Sequence, residues 1–411
     1  MVSAIGLNSG SSFDSIDAVL IDIEIGCDGL PVRPTFKAGR SYDWPATVAD
    51  DVLRAFENKL TIFELCRLNY TVGAVYAECA RSLMRELGLS PGDVEVIGYD
   101  GQTIYQEPAD HTRLSQFLGS EDLLSRWLGG PYPCGLQIGE PAIVATECDT
   151  TVVTQFRPSD HALGGSGAPL MQYLDFIAFR DIGPVLTLNI GGIANCQLAD
   201  RDRARMMAFD TGPGNVMLDH AVRVLFDKPY DADGAIAASG QVNNRLLEVL
   251  LKHPFFHRPP PRSAWRLDFG SSFADEVLAS HRTIRSEDLL ATLTEFTAAA
   301  IGGSIKEHVP RLNEISLLIA SGGGVRNRFL MRRLAEHLPK SLRLTTSDEF
   351  GIPAQYKEAV KFAVLAYANV NRLANNIPAA SGAQRFTVMG RAVLPPRLAK
   401  VDAAFSNHNP K

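Results

Sequence analysis

The chain has 411 residues, 45% hydrophobic and 21% charged, with a formal net charge of −6. That length exceeds a single hydrophobic core and suits two lobes. An acidic balance without a basic block argues against nucleic acid and anionic membrane as partners. No stretch has the pattern of a secretory signal or the length of a membrane span, so the expected location is cytoplasmic.

Val2 to Leu7 reads as a strand, Asn8 to Ser12 as a tight polar turn, and Ile16 to Ile25 as a second strand. Helical spacing runs from Thr47 to Leu87, with Leu65, Leu68, Val72, Val75, Tyr76 and Cys79 on one stripe. Val94 to Tyr99 and Thr151 to Phe156 read as buried strands, the second entering Arg157 to Asp160 and a glycine-rich loop, Gly164 to Gly167. Helical periodicity over Ala168 to Arg180 leads to a second strand–turn–strand unit, Val185 to Ile190, Gly191-Gly192, Ile193 to Leu198. Ile315 to Ala320 is a further buried strand, followed by Gly322 to Gly324 and a helix carrying Asn327. An amphipathic helix over Lys357 to Leu373 ends at Asn375-Asn376-Ile377-Pro378. Strands alternating with helices indicate an α/β chain with mixed sheets. The six cysteines (Cys27, Cys66, Cys79, Cys134, Cys148 and Cys196) lack metal-ligand spacing and read as buried thiols.

Glycine turns that leave buried strands let a backbone approach a ligand and aim successive amides at an anion. Ser9-Gly10-Ser11-Ser12, Asn189 to Asn195, Asp210 to Asn215 and Gly322 to Gly324 are four such turns. None fits the P-loop or dinucleotide patterns, and together they favour a nucleotide held between lobes. Asp14, just past the first turn, is placed for a metal chelated by phosphate. Asp160 is the candidate general base; alternatively it pairs with Arg157 or caps a helix. His161 is the other candidate base, with plain solvation as its alternative.

These segments resemble the anhydro-N-acetylmuramic acid kinase family, which includes levoglucosan kinases. The resemblance runs from Gly6 to about Gly390 through GLNSGSSFDSID, DGQTI, LQIGEP, TVVTQFRPSDHALGGSGAPL, LNIGGIAN, FDTGPGN, DADGAIAASG, SGGGVRN and GIPAQYKEAVKFAVLAY. It implies a two-lobed actin/hexokinase-like (ribonuclease H-like) ATPase fold with mixed sheets and an interlobe active-site cleft. One lobe would comprise 1–168 with 378–411, the other 169–377, with connecting helices at both its ends. ATP would meet Ser9, Gly10, Ser11 and Ser12 on one side and Asn189, Gly191, Gly192, Asp210, Gly212, Gly214 and Asn215 on the other. Gly322, Gly323, Gly324 and Asn327 would face the adenosine. Asp14 and Glu358 would attend magnesium, and Asn8, Gln102, Gln137, Arg157 and Asp160 would contact the sugar. Asp160 would take the proton from a water that attacks carbon 1 and opens the 1,6-anhydro bridge, after which oxygen 6 takes the γ-phosphate. A homodimer is usual for such kinases.

The chain departs from the family pattern at Ser11, Ser15, Asp100 and the Arg262 to Leu267 segment, where Trp265 and Leu267 stand for Gly and Glu. Asp100 is expected to add negative charge beside the sugar and to repel a carboxylate. That weighs against anhydro-N-acetylmuramic acid, as Asn8 does, and towards levoglucosan; Ser381 to Arg385 and the frequency of muramic substrates in the family weigh the other way, so the resemblance implies anhydro-N-acetylmuramic acid, with levoglucosan as the alternative. A silent nucleotide-binding relative is the alternative of another class.

Overall fold

The computed structural model describes residues 1–10, 13, 15–107, 114, 123–128, 132–260, 262–264 and 266–398. Ser11, Ser12, Asp14 and Trp265 lie outside the described residues.

The first half opens with β1 (Val2–Asn8), β2 (Ile16–Ile23) and β3 (Thr35–Tyr42), an antiparallel meander. Ala4, Ile5 and Leu7, with Ala18, Val19 and Ile21, are fully buried on its two faces. β4 (Val96–Gly98) and β7 (Val152–Thr154) join β1 in parallel, and β13 (Arg391–Val393) closes the edge, giving the order β13-β7-β4-β1-β2-β3. Between them β5 (Gln102–Glu107) and β6 (Cys134–Ile138) form a separate antiparallel pair.

The second half repeats this plan. β8 (Val185–Ile190), β9 (Ile193–Ala199) and β10 (Met207–Pro213) form a meander, and β11 (Leu317–Ser321) and β12 (Arg343–Thr346) add in parallel, in the order β10-β9-β8-β11-β12. Each sheet thus has three antiparallel strands and then two parallel ones, to which the first adds β13, antiparallel to β7, at its edge.

The Lys357–Val370 helix packs on β1, β2 and β4 and, on its other side, on the Met171–Phe179 helix, which in turn meets β9. Eleven of its fourteen residues are buried, so it is a core helix rather than the amphipathic one expected. Two packed sides leave no solvent face to carry polar residues. Gly6 and Gly98 admit it: a Cβ at either position would overlap the helix backbone at Ala359 or Phe362.

The single helix expected over Thr47 to Leu87 is two, Ala46–Phe56 and Ile62–Glu86. Asn58 turns left-handed at φ 56°. Thr61 then starts the second helix with a capping box, Glu64 N donating to Thr61 Oγ1 (3.3 Å) and Thr61 N to Glu64 Oε2 (2.7 Å). All six cysteines are free. Burial pushes the Cys79 and Cys148 thiols up to about 12. Cys27, Cys66 and Cys134 are exposed, correcting the expectation of buried thiols; they stand in a turn, on an outer helix face and in the two-stranded sheet. No described helix is long and apolar enough to cross a membrane.

Candidate active site

At the end of β7 the chain enters a short helix, Arg157–His161, with Pro158 in its first turn. Asp160 is 2% exposed there. Its Oδ2 accepts from Gly167 N (3.0 Å), and its Oδ1 from Ser381 Oγ (2.9 Å) and Asn376 Nδ2 (3.1 Å). Three donors converging on one carboxyl fix its direction. The alternative pairing with Arg157 does not occur, because Arg157 Nε donates to Asp100 Oδ2 at 2.6 Å and Nη1 to Gly167 O at 3.0 Å. Asp100 is itself buried, its Oδ1 accepting from Phe156 N at 3.1 Å. The negative charge expected beside the sugar is therefore neutralised within the fold.

His161 is buried, not solvated. Desolvation, then the Arg157 charge, hold its imidazole below the ordinary range. The Gln106 amide, which also donates to Ser166 O (3.2 Å), points its Nε2 at His161 Nε2 from 3.2 Å, so this ring nitrogen is the acceptor. The ring is thus a neutral spacer beneath the Gly164 to Gly167 loop.

Gln102 and Gln137 stand one register position apart on β5 and β6, both buried. Gln137 Nε2 reaches Thr103 Oγ1 at 3.5 Å. The Oε1 atoms of Gln102 and Gln106 are buried acceptors with no partner among the described residues. Buried acceptors are normally satisfied, and a ligand rich in hydroxyl donors meets that need.

Across the molecule the glycine turns converge. Asn215 N and Gly214 N donate to Gly191 O (2.8 Å) and Gly192 O (3.2 Å), and Asn215 Nδ2 donates to Ile190 O (3.1 Å). A Cβ on Gly322 would lie 2.7 Å from Asn189 Oδ1 and Ile190 O, so only glycine lets that turn close on β8. Gly323 is exposed beside Asn215, and Gly324 packs on Ile190. Asn189 Nδ2 donates to Glu358 Oε1 (2.9 Å), tying the second sheet to the first residues of the Lys357–Val370 helix. Asn189 Oδ1 is another buried acceptor without a partner among the described residues.

Other expected contacts carry structural duties. Asn327 caps the Arg328–His337 helix, its Oδ1 accepting from Leu330 N (2.9 Å). Asp210 Oδ2 accepts from Ala264 N (2.7 Å) and its carbonyl from Arg262 Nε (2.9 Å). Desolvation pushes the Asp210 carboxyl up to about 7. Gly212 sits at the β9–β10 bulge against Phe256. In the first turn Ser9 Oγ accepts from Trp44 Nε1 (3.2 Å), Gly10 O accepts from Phe13 N (3.1 Å), and Asn8 ends β1 opposite Asp17.

Sequence reasoning missed Asn376, Ser381, Gln106 and Lys361. Asn376 reads as part of a helix stop and Ser381 as part of a family-like run, yet both grip Asp160. The signal for Asn376 was a doubled asparagine before proline, more than a helix stop requires. Lys361 stands one turn beyond Glu358, 3.8 Å from its Oε2; burial holds its amine below the ordinary range while Glu358 opposes that shift.

Two sheets of similar plan, joined by a packed pair of helices and bearing glycine turns at the ends of their strands, are the arrangement of an actin/hexokinase-like α/β fold. The family model described as anhydro-N-acetylmuramic acid kinase matches residues 2–130 and 124–395. A protein of that name from Francisella tularensis subsp. novicida is 34% identical over 391 residues, covering 94% of this chain and 97% of the relative. Others from Caldanaerobacter subterraneus subsp. tengcongensis and Bacillus cereus are 35% and 34% identical, covering 95% of this chain and 96% and 99% of their own lengths. The chain belongs to the anhydro-N-acetylmuramic acid kinase family, and is a phosphotransferase with an alcohol group as acceptor. Among solved structures, the activator of 2-hydroxyisocaproyl-CoA dehydratase from Clostridium difficile with bound ADPNP has a TM-score of 0.42 at 13% identity, covering 89% of this chain and 94% of that one.

Proposed function

We propose that the chain is an ATP-dependent kinase of 1,6-anhydro-N-acetylmuramic acid, which opens the anhydro bridge with water and phosphorylates oxygen 6. The observation that carries the choice of sugar is the Arg157–Asp100 pair, 2.6 Å apart and largely buried. It removes the repulsion that a lactyl carboxylate would otherwise meet. Levoglucosan is the second reading, favoured by Asn8, which suits a sugar bearing only hydroxyls.

In the proposed reaction, Asp160 accepts a proton from water as the water oxygen bonds to carbon 1. The bond from carbon 1 to oxygen 6 breaks, oxygen 6 takes the γ-phosphoryl group, and ADP leaves. Gln102 and Gln106 orient the sugar through their open acceptors. Asn189, the Gly191–Gly192 turn, Gly214, Asn215 and Gly322 to Gly324 hold the nucleotide opposite Ser9 to Ser12, with Asp210, Gly212 and Asn327 supporting these turns. Magnesium, when bound, neutralises phosphate charge. Glu358 and the unpartnered Asn189 Oδ1 offer the oxygen donors it prefers, and Asp14 is proposed to join them. Among the described residues no group of three His, Cys, Asp or Glu side chains can hold a metal; one or two carboxylates with phosphate oxygens suffice for magnesium. The lobes are proposed to divide as 1–168 with 378–411, and 169–377, in a cytoplasmic homodimer.

ADP release with each anhydro sugar, against a control without sugar, tests this reading. Release with the muramic sugar well above both others is expected. Release with levoglucosan alone selects the second reading, and release independent of sugar rules out both.

A further inference from the structure

The Lys357–Val370 helix buries two lysines one turn apart, and they are treated differently. Lys357 is 1% exposed with Asp175 Oδ1 2.6 Å from its amine. Asp175 Oδ2 in turn accepts from Thr187 Oγ1 at 2.5 Å. That lysine is ion-paired inside the core. Lys361 is 7% exposed, and among the described residues its Nζ makes no hydrogen bond. The carboxylate it meets, Glu358, stays 3.8 Å away, and the centre of the Phe362 ring is 4.1 Å from Nζ. The ring compensates part of the lost hydration through its π face. The amine is left with a distant carboxylate and a ring face as its only partners among the described residues, a weak return for the hydration it loses.

The surroundings say what acceptor fits. On one side Glu358 is bonded to Asn189 at the edge of the Gly191–Gly192 turn. On the other, Phe362 stacks on Phe156, and Arg157 and Asp100 follow, already matched in charge to each other. The amine therefore lies between the glycine turns and the sugar-side pair, where the end of a triphosphate meets the accepting hydroxyl. We propose that Lys361 is a catalytic residue, donating from Nζ to the non-bridging oxygens of the phosphoryl group in transfer. This rests on the kinase reading above. A pre-placed donor aimed at developing phosphoryl charge acts in a water-poor site without reorganising as the reaction proceeds.

The test compares Lys361→Met and Lys361→Arg with the parent in melting temperature, in calorimetric affinity for ADP and for a non-hydrolysable β,γ-imido ATP analogue, and in turnover. Methionine keeps the length and removes a buried charge that makes no hydrogen bond among the described residues, so the variant should melt no lower than the parent. ADP affinity should change less than about twofold, while the ATP analogue should bind about tenfold more weakly, the scale of one charge-assisted contact. Turnover should fall by about 10² to 10³, as for loss of one oxyanion donor, and Lys361→Arg should restore part of it. An unchanged ratio of ADP to analogue affinity, with turnover within about threefold of the parent, would overturn the proposal. So would a loss of affinity confined to the carboxylate-bearing sugar, which would make Lys361 a sugar contact. Failure of the parent to bind either nucleotide would instead sink the kinase reading and this inference with it.

Discussion

Asp160 is gripped by three donors, which decides how its substitution will read. In Asp160→Asn the new NH2 group must face either Gly167 N–H or the Asn376 and Ser381 donors. A local cost of about 1–3 kcal/mol is expected, so the loop does not stay wholly undisturbed. Turnover should drop by about 10² to 10⁴, the worth of a positioned general base. Ser381→Ala removes one of the same donors while leaving the base, and should keep most of the turnover at a similar stability cost. Equal loss of turnover in the two variants would make Asp160 an anchor only. His161 gives a pH test. Its folded-state pKa is depressed, so its contribution is present above the ordinary imidazole value of about 6.5 and is lost as pH falls through the folded value. His161→Gln should therefore lose less melting temperature than the parent on acidification from about pH 7.5 to 5.5, with turnover at neutral pH largely kept. A parent and variant that lose equally would contradict the buried, neutral ring.

At the scale of elements, the Lys357–Val370 helix is joined to the Met171–Phe179 helix by the Lys357–Asp175 ion pair, fully inside the protein. Lys357→Met leaves Asp175 buried without its cation, and should cost about 3–5 kcal/mol in denaturant unfolding. Pairing it with Asp175→Leu should recover much of that loss, since replacing a buried pair by apolar groups is often nearly neutral. If the single variant unfolds like the parent, the pair contributes nothing net. The elements themselves were partly legible: alternation exposed the first two strands of each meander but not β3, and Asp210 to Pro213, read as a glycine turn, lies in β10. What stayed hidden depended on which side chains meet across the sequence. Arg157 could be seen beside Asp160, but its partner is Asp100, 57 residues away. Asn376 and Ser381 reach Asp160 across more than 200 residues. The break at Asn58 to Thr61 was readable from the Thr61–Glu64 capping pair, but the apolar stripe on either side masked it.

For the whole molecule, two sheets of similar plan flank the packed helix pair, and the proposed ligands would lie between glycine turns from both. Closure about Gly164 to Gly167 and Gly351 to Pro353 is expected when nucleotide and sugar bind together, since exclusion of water favours transfer to the sugar over loss to solvent. Small-angle scattering should show a smaller radius of gyration with an ATP analogue plus sugar than without ligands, and an unchanged radius would argue against closure. The central claim, that water opens the ring while ATP supplies the phosphoryl group, is tested most directly by the mass of the product formed from 1,6-anhydro-N-acetylmuramic acid and ATP. A sugar heavier by one water and one phosphoryl group, with ADP in equal amount, is the expected result. A sugar heavier by the phosphoryl group alone, or ADP without a phosphorylated sugar, would contradict it.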